Sequence, residues 1–313
     1  MPPINVAMDA TILSSLMSCG AVTDYKYNQN LTQKGGKSNS LEVGSLVHVF
    51  LEYYYQSLID KKSKSDAIDA GVAAAKLFIK GCPICQNYPL DAVGQPPCGH
   101  KNADFIGMVN TPQKSEKRGK SELIGWEWAL DTCMQYLAHY VNDSFTPLAA
   151  ELTKSEIIFE NESLRILWKA KFDLIADSGM IIPFDHKTMK QRRDSLSLNN
   201  QFMGQCILTK SRNMIVNKIG FQTSLKPSEK FERAMMSYSK ARLDEWQNEI
   251  VPYWANVYVS YIKSGVWPRN FTHCENKYGF CDFKEVCSSD KNMRNEVIKL
   301  NFIKRRVWDV TND

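Results

Sequence analysis

Apolar side chains recur at three- and four-residue spacing over residues 9–19, 41–59, 65–79 and 122–141, which predicts four helices. In the second of these Leu46, Phe50, Tyr53 and Tyr54 form the stripe. From residue 152 the period shortens. Ser155 to Glu160 and Arg165 to Ala176 alternate in the manner of half-buried strands, and Asp177-Ser178-Gly179 predicts a turn leading into a returning strand, Met180 to Thr188. A helix over 198–210, a strand over 215–223 and a long helix over 241–263 follow, the last with Trp246, Ile250, Trp254 and Tyr258 on one stripe. Residues 24–40 form a polar loop, and 81–121, rich in Pro, Gly, Lys and Cys, an irregular insertion. The expected class is α/β (α+β): a helical lobe over 1–150, a mixed core over 151–265 and a cysteine-bearing end over 266–313.

Composition narrows this picture only slightly. A chain of 313 residues with 43% hydrophobic and 23% charged residues is ordinary for a globular protein with a sizeable core. The formal net charge of +5 permits a polyanionic partner without requiring one. No apolar run reaches the roughly 18 residues that span a bilayer. Met1 to Val22 carries no basic residue, so it does not read as a secretory signal. The expectation is a cytoplasmic protein with no membrane partner. Nine cysteines in a reducing compartment then suggest metal rather than disulfides.

The chemistry concentrates on the 165–188 hairpin. Alternation places Lys169, Lys171 and Asp173 on one face of the first strand, and Asp185 and Lys187 on one face of the second. Paired carboxylates suit a hard cation such as Mg²⁺ or Mn²⁺. A lysine two residues beyond orients water and stabilises the charge that develops on a phosphate undergoing hydrolysis. Taken alone, Asp185-His-Lys187 reads as a solvated ion-pair face on an edge hairpin, because the tripeptide recurs often by chance.

More of the pattern is present, and in order. Gly44-Ser-Leu-Val-His48, Lys171-Phe-Asp173, Asp185-His-Lys187 and Gln201-Phe-Met-Gly-Gln205 together resemble the RecB-like branch of the PD-(D/E)xK nucleases, including the CRISPR-associated iron–sulfur exonucleases and related phage enzymes. The resemblance implies a restriction-endonuclease-like core with a mixed central sheet flanked by helices. It also implies a metal site of His48, Asp173 and Asp185, catalysis by Asp173, Asp185, Lys187 and Gln201, and hydrolysis of single-stranded DNA or DNA ends. Two positions depart from the family pattern: Ala170 stands where a glycine is usual, and Gln205 where a tyrosine is usual. Partners implied are DNA and the other proteins of a recombination, replication or repair complex. A rival reading keeps the nuclease fold as a catalytically inactive DNA-binding or scaffolding subunit; another makes the chain a metal-binding interaction module.

Cys274, Cys281 and Cys287 follow the spacing C-x6-C-x5-C. The resemblance supplies Cys19 as a fourth thiolate and implies a [4Fe–4S] cluster joining the two ends of the nuclease. Within the insertion, Cys82-Pro-Ile-Cys85 and Cys98-Gly-His100 have the ligand types of a structural Zn²⁺ site, on spacing alone. Cys133 and Cys206 read as core packing. Lys169, Lys171, Lys190, Arg192 and Arg193 surround the proposed centre as phosphate contacts.

Overall fold

The computed structural model describes residues 2–34, 39–80, 126–189, 198–221, 225–276 and 279–305. The 82–100 cysteine and histidine set, together with Lys190, Arg192 and Arg193, lies outside them.

Strands β1 (Ile4–Met8), β3 (Thr146–Glu160), β4 (Leu164–Asp177), β5 (Ile181–Met189), β6 (Asn213–Gly220) and β7 (Phe231–Ser237) build one mixed six-stranded sheet. A short strand β2 (Leu31–Gln33) pairs with β10 (Phe302–Lys304), and β8 (Glu275–Asn276) with β9 (Gly279–Phe280). The longer helices are α1 (Ala10–Ser18), α2 (Asn39–Ile59), α3 (Lys64–Lys80), α4 (Trp126–His139), α5 (Asn200–Thr209) and α6 (Val251–Ser264). This is the mixed α/β architecture expected, a central sheet flanked by helices.

The sheet is forked. One edge of β4 pairs with β3 along nearly its whole length, from Glu160↔Arg165 to Thr146↔Asp177. The other edge is divided between two strands: β1 pairs parallel with Leu164 to Trp168, and β5 pairs antiparallel with Leu174 to Asp177. Neither ladder includes Lys169 to Asp173. Past Phe184, β5 leaves β4 and runs parallel to β6. Backbone polar groups along this gap need partners other than a strand, and Gln205 supplies one by donating to the Lys171 carbonyl.

Two apolar layers clamp the fork. One collects Trp168 and Phe172 of β4 with Phe202 and Cys206 of α5 and with Trp246 and Val251. The other packs Leu46, Val47 and Phe50 of α2 and Cys133 of α4 beneath Leu174, Ile182 and Phe184. Both cysteines are fully buried, as core packing requires. A third cluster ties the chain ends together: Cys19, Tyr25 and Leu31 meet Phe283, Val286 and Phe302.

Several elements differ from the sequence pattern. β1 and β7 carry too short or too weak an alternation to be seen in isolation; pairing with β4 and β6 creates them. β3 begins at Thr146, well before the alternation becomes regular. The predicted 241–263 helix is interrupted by a widened turn over Trp246–Ile250. Within 24–40 the chain forms a widened helical turn, Asp24–Asn28, then β2, and α2 begins at Asn39.

Candidate metal centre

Asp173 sits at the mouth of the fork. Its Oδ2 accepts the backbone N–H of His186 at 2.5 Å, taking the place of the β4 carbonyl that the diverging β5 no longer reaches. Its Oδ1 lies 3.4 Å from Nδ1 of His48. His48 reaches the fork from α2, which comes close because Gly44, one turn earlier, has no side chain: a Cβ there would stand 3.0 Å from Thr188 Oγ1 on β5. That contact gives the glycine of the Gly44-x-x-x-His48 pattern a physical reason.

A third ligand-bearing group stands beside them that the sequence pattern did not single out. Glu151 of β3 places Oε1 3.6 Å from His48 Nδ1 and Oε2 3.0 Å from Lys171 Nζ. His48, Glu151 and Asp173 each offer an atom within 4.8 Å of the others, the one such group of three or more His, Cys, Asp or Glu ligands among the described residues. Glu52, one turn beyond His48 on α2, adds negative charge nearby: burial first, then the repulsion of Glu151, raises its carboxyl above the usual range. The one-sided signal was a lone Glu in Ala149-Ala150-Glu151-Leu152, a stretch with weak strand propensity.

Asp185 and Lys187 form an adjoining half-site. Lys187 Nζ lies 2.7 Å from Asp185 Oδ2, and Gln201 bridges the pair, donating to Asp185 Oδ1 at 2.6 Å and accepting from Lys187 at 3.3 Å. Gln201 is held at the start of α5 by its cap, Asn199, whose side chain accepts the Gln201 N–H at 2.8 Å. α5 comes this close to β4 because residue 204 is glycine: a Cβ would stand 2.3 Å from the Trp168 indole nitrogen, and that indole is itself pinned against Trp246, ring centroids 4.9 Å apart. Gln205 is fully buried and donates to the Lys171 carbonyl at 3.0 Å, satisfying backbone in the gap of the sheet.

Burial sets the protonation pattern. Asp185 is only 1% exposed, and burial, reinforced by the charge of Asp173, pushes its carboxyl up to about 6 despite Lys187. Asp173 is partly buried, but the charge of His48 and the hydrogen bonds from His48 and the His186 backbone N–H outweigh desolvation and hold it well below the carboxylate range. Desolvation would lower His48; Asp173 and Glu151 more than compensate and raise it well above its ordinary value. At His186 burial outweighs the opposing charges of Asp173 and Glu151 and pushes the ring down to about 4. The centre therefore holds one ionised carboxylate, one that protonates readily, and concentrated negative charge facing an imidazole. A divalent cation answers that arrangement.

Of the expected phosphate contacts, Lys171 is committed to Glu151, and Lys169 lies on the same face of β4, opposite Ser155 of β3.

The four cysteines of the chain ends also draw together. Cys19 Sγ accepts the Asn270 N–H at 3.3 Å, and the Cys281 N–H donates to the Cys274 carbonyl at 2.9 Å. Burial pushes the Cys281 and Cys287 thiols up, and the other thiols of the set, Cys19 and Cys274, add to the rise. No three of the four sulfurs lie within 4.8 Å of one another.

No helix among the described residues is long and apolar enough to cross a membrane. No protein-family model and no curated protein matches the chain. Among solved structures, an Eubacterium rectale protein provisionally described as an exonuclease aligns at 13% identity and a TM-score of 0.47, covering 91% of this chain and 89% of that one. The protein SSO0001 aligns at 16% identity and a TM-score of 0.31, covering 52% of this chain and 70% of that one. Both scores are low, and nothing about this chain is concluded from either.

Proposed function

We propose that the protein is a divalent-metal-dependent deoxyribonuclease acting on single-stranded DNA or DNA ends. The convergence of His48, Glu151 and Asp173 at the fork, with Asp185, Lys187 and Gln201 alongside, carries this reading. His48, Glu151 and Asp173 hold Mg²⁺ or Mn²⁺, and Asp185 borders the same space, its buried carboxyl repelled by Asp173. The cation, when bound, supplies Lewis acidity toward a phosphate oxygen and lowers the pKa of water. Lys187 offers an ammonium to the negative charge that grows on phosphorus during attack, and Gln201 fixes that ammonium against Asp185. The choice of DNA, and of single strands or ends, follows the family resemblance of the four motifs; Lys169, Lys190, Arg192 and Arg193 are its phosphate contacts, while Lys171 holds Glu151.

Cys19, Cys274, Cys281 and Cys287 bind a [4Fe–4S] cluster that clips the two chain ends together, adding stability by closing a long loop. The cytoplasm suits such a thiolate-bound cluster.

End-labelled single- and double-stranded DNA incubated with Mn²⁺, wild type beside Asp185→Ala and Lys187→Ala, tests the activity. Digestion by the wild type alone is expected. Normal digestion by both variants removes the proposed chemistry, and a wild type that binds DNA without cutting it makes the protein an inactive nuclease-fold subunit.

A further inference from the structure

Behind the centre runs a chain of buried hydrogen bonds that the hydrolysis proposed above does not use. Arg233 of β7 is ion-paired with Asp143 and lies over the Tyr140 ring, 3.6 Å from its centroid. It donates to the Tyr136 hydroxyl at 2.7 Å. The Asn217 amide nitrogen on β6 lies 2.9 Å from that same hydroxyl and 2.8 Å from Nδ1 of His186. The Tyr55 hydroxyl stands 3.3 Å from Tyr136 on its remaining side.

The direction of these bonds follows from their donors. A guanidinium only donates, so the Tyr136 oxygen accepts from Arg233. With the Asn217 nitrogen turned to both Tyr136 and His186, the phenol accepts twice and passes its own proton toward Tyr55. Nδ1 of His186 is then an acceptor, which leaves the ring proton on Nε2. That Nε2 is buried and has no hydrogen-bond partner, in a side chain only 2% exposed. The ring stacks on Tyr55, centroids 6.0 Å apart and planes within 15°, and meets His48 edge-on at 6.1 Å. Its own backbone N–H holds Asp173. A buried donor with no acceptor, packed against the metal-site histidine, points to a partner that arrives with the ligand.

We propose that the Arg233–Tyr136–Asn217 chain locks His186 as the neutral ring protonated at Nε2, a positioning residue whose buried N–H receives an oxygen ligand of the His48–Glu151–Asp173 centre, either water or a DNA phosphate oxygen. The inference rests on the metal-site reading for its ligand, but the locked tautomer stands without any metal or activity. Asn217 and Tyr136 act through His186 and touch no reacting atom.

The test is ¹⁵N-histidine NMR of the full chain without metal. His186 is expected as one species, protonated at Nε2 and bare at Nδ1; a ring protonated at Nδ1, or a mixture of tautomers, overturns the proposal. Adding Mg²⁺ alone and then Mg²⁺ with a hydrolysis-resistant phosphorothioate oligonucleotide separates the two oxygen sources: a shift of the Nε2 proton with the ion alone identifies water, and a shift only with the oligonucleotide identifies a phosphate. No shift in either arm also overturns it. Asn217→Leu is expected to mix the tautomers and, acting through His186, to weaken Mg²⁺ binding by about 10-fold where water is the ligand, or to raise KM for DNA by about 10-fold where a phosphate is. Tyr136→Phe, which keeps the ring packing, gives the same mixing should the leucine variant not fold. Normal hydrolysis by Asp173→Ala would remove the nuclease reading and leave the tautomer result standing.

Discussion

Glu151 stands opposite Asp173 across the β3–β4 ladder, between the pairs Ala150↔Leu174 and Leu152↔Phe172, with its backbone in the left-handed region at φ 48°. Left-handed φ at a non-glycine residue inside a strand costs about 1–3 kcal/mol and persists where the surroundings impose it. Here the reward is a carboxylate within reach of both His48 and Lys171. Glycine adopts this φ freely. Glu151→Gly is therefore expected to be more stable than Glu151→Ala by about 1 kcal/mol, measured by denaturant unfolding, while both lose Mn²⁺ affinity. Equal stabilities would show that the left-handed backbone stores no strain.

Gln201 links the two members of the Asp185–Lys187 pair through one amide. Gln201→Leu keeps the volume and removes both bonds. Its kcat on DNA should fall about 10- to 100-fold, the range for outer partners of a metal site, with α5 intact by circular dichroism. Gln201→Glu should recover the Lys187 contact but set a second carboxylate against Asp185, and so stay impaired. A leucine variant with unchanged kcat would reduce Gln201 to a helix-start residue.

The buried His186 makes stability depend on pH. Its folded value of about 4 lies below the ordinary 6.5 because the interior disfavours the cation. The unfolded chain thus binds the extra proton first. The contribution is complete above 6.5, falls as pH drops through that value, and is fully lost below about 4. Asp185, raised to about 6, works in the opposite sense, losing its contribution as pH rises from the ordinary carboxylate value through 6. Comparing wild type with His186→Gln isolates the histidine: wild type should lose more stability than the variant between pH 6.5 and pH 4. Parallel stability curves would mean that His186 titrates in the folded protein as it does in the unfolded chain.

At the chain ends, protein purified without oxygen should be brown, with broad absorption near ~400 nm from thiolate-bound iron and sulfide. Cys19→Ser should lower the iron content and the melting temperature together, because Cys19 lies in the cluster of side chains that joins the N-terminal segment to Phe283, Val286 and Phe302. A colourless preparation containing zinc alone would contradict the cluster.

Much of the centre was legible before any coordinates. Strand alternation put Lys171 and Asp173 on one face of the first strand, and Asp185 and Lys187 on one face of the second, because a period of two is a local property of the chain. His48 and Gln201 were candidates because of the family resemblance, and the glycines at 44 and 204 are what lets their helices approach the sheet. Glu151 was not legible. It precedes the regular alternation of β3, and its direction depends on a left-handed residue and on register with β4, neither of which leaves a mark in the sequence. Lys171 read as a phosphate contact because its face was right; only the position of Glu151 shows that it has a partner within the protein. The hydrogen-bond chain to His186 was invisible for a similar reason, since it joins residues brought together by β5–β6 and β6–β7 pairing. The strands β1 and β7 were missed because their form comes from neighbours rather than from propensity.

Crystals grown with Mn²⁺ and measured for anomalous scattering address the central claim without relying on any activity. The fork of the sheet should hold a single strong peak at about 2.0–2.3 Å from one atom each of His48, Glu151 and Asp173, the range for nitrogen and oxygen ligands of such cations. A peak bound elsewhere, with those three side chains keeping only one another as partners, would contradict it.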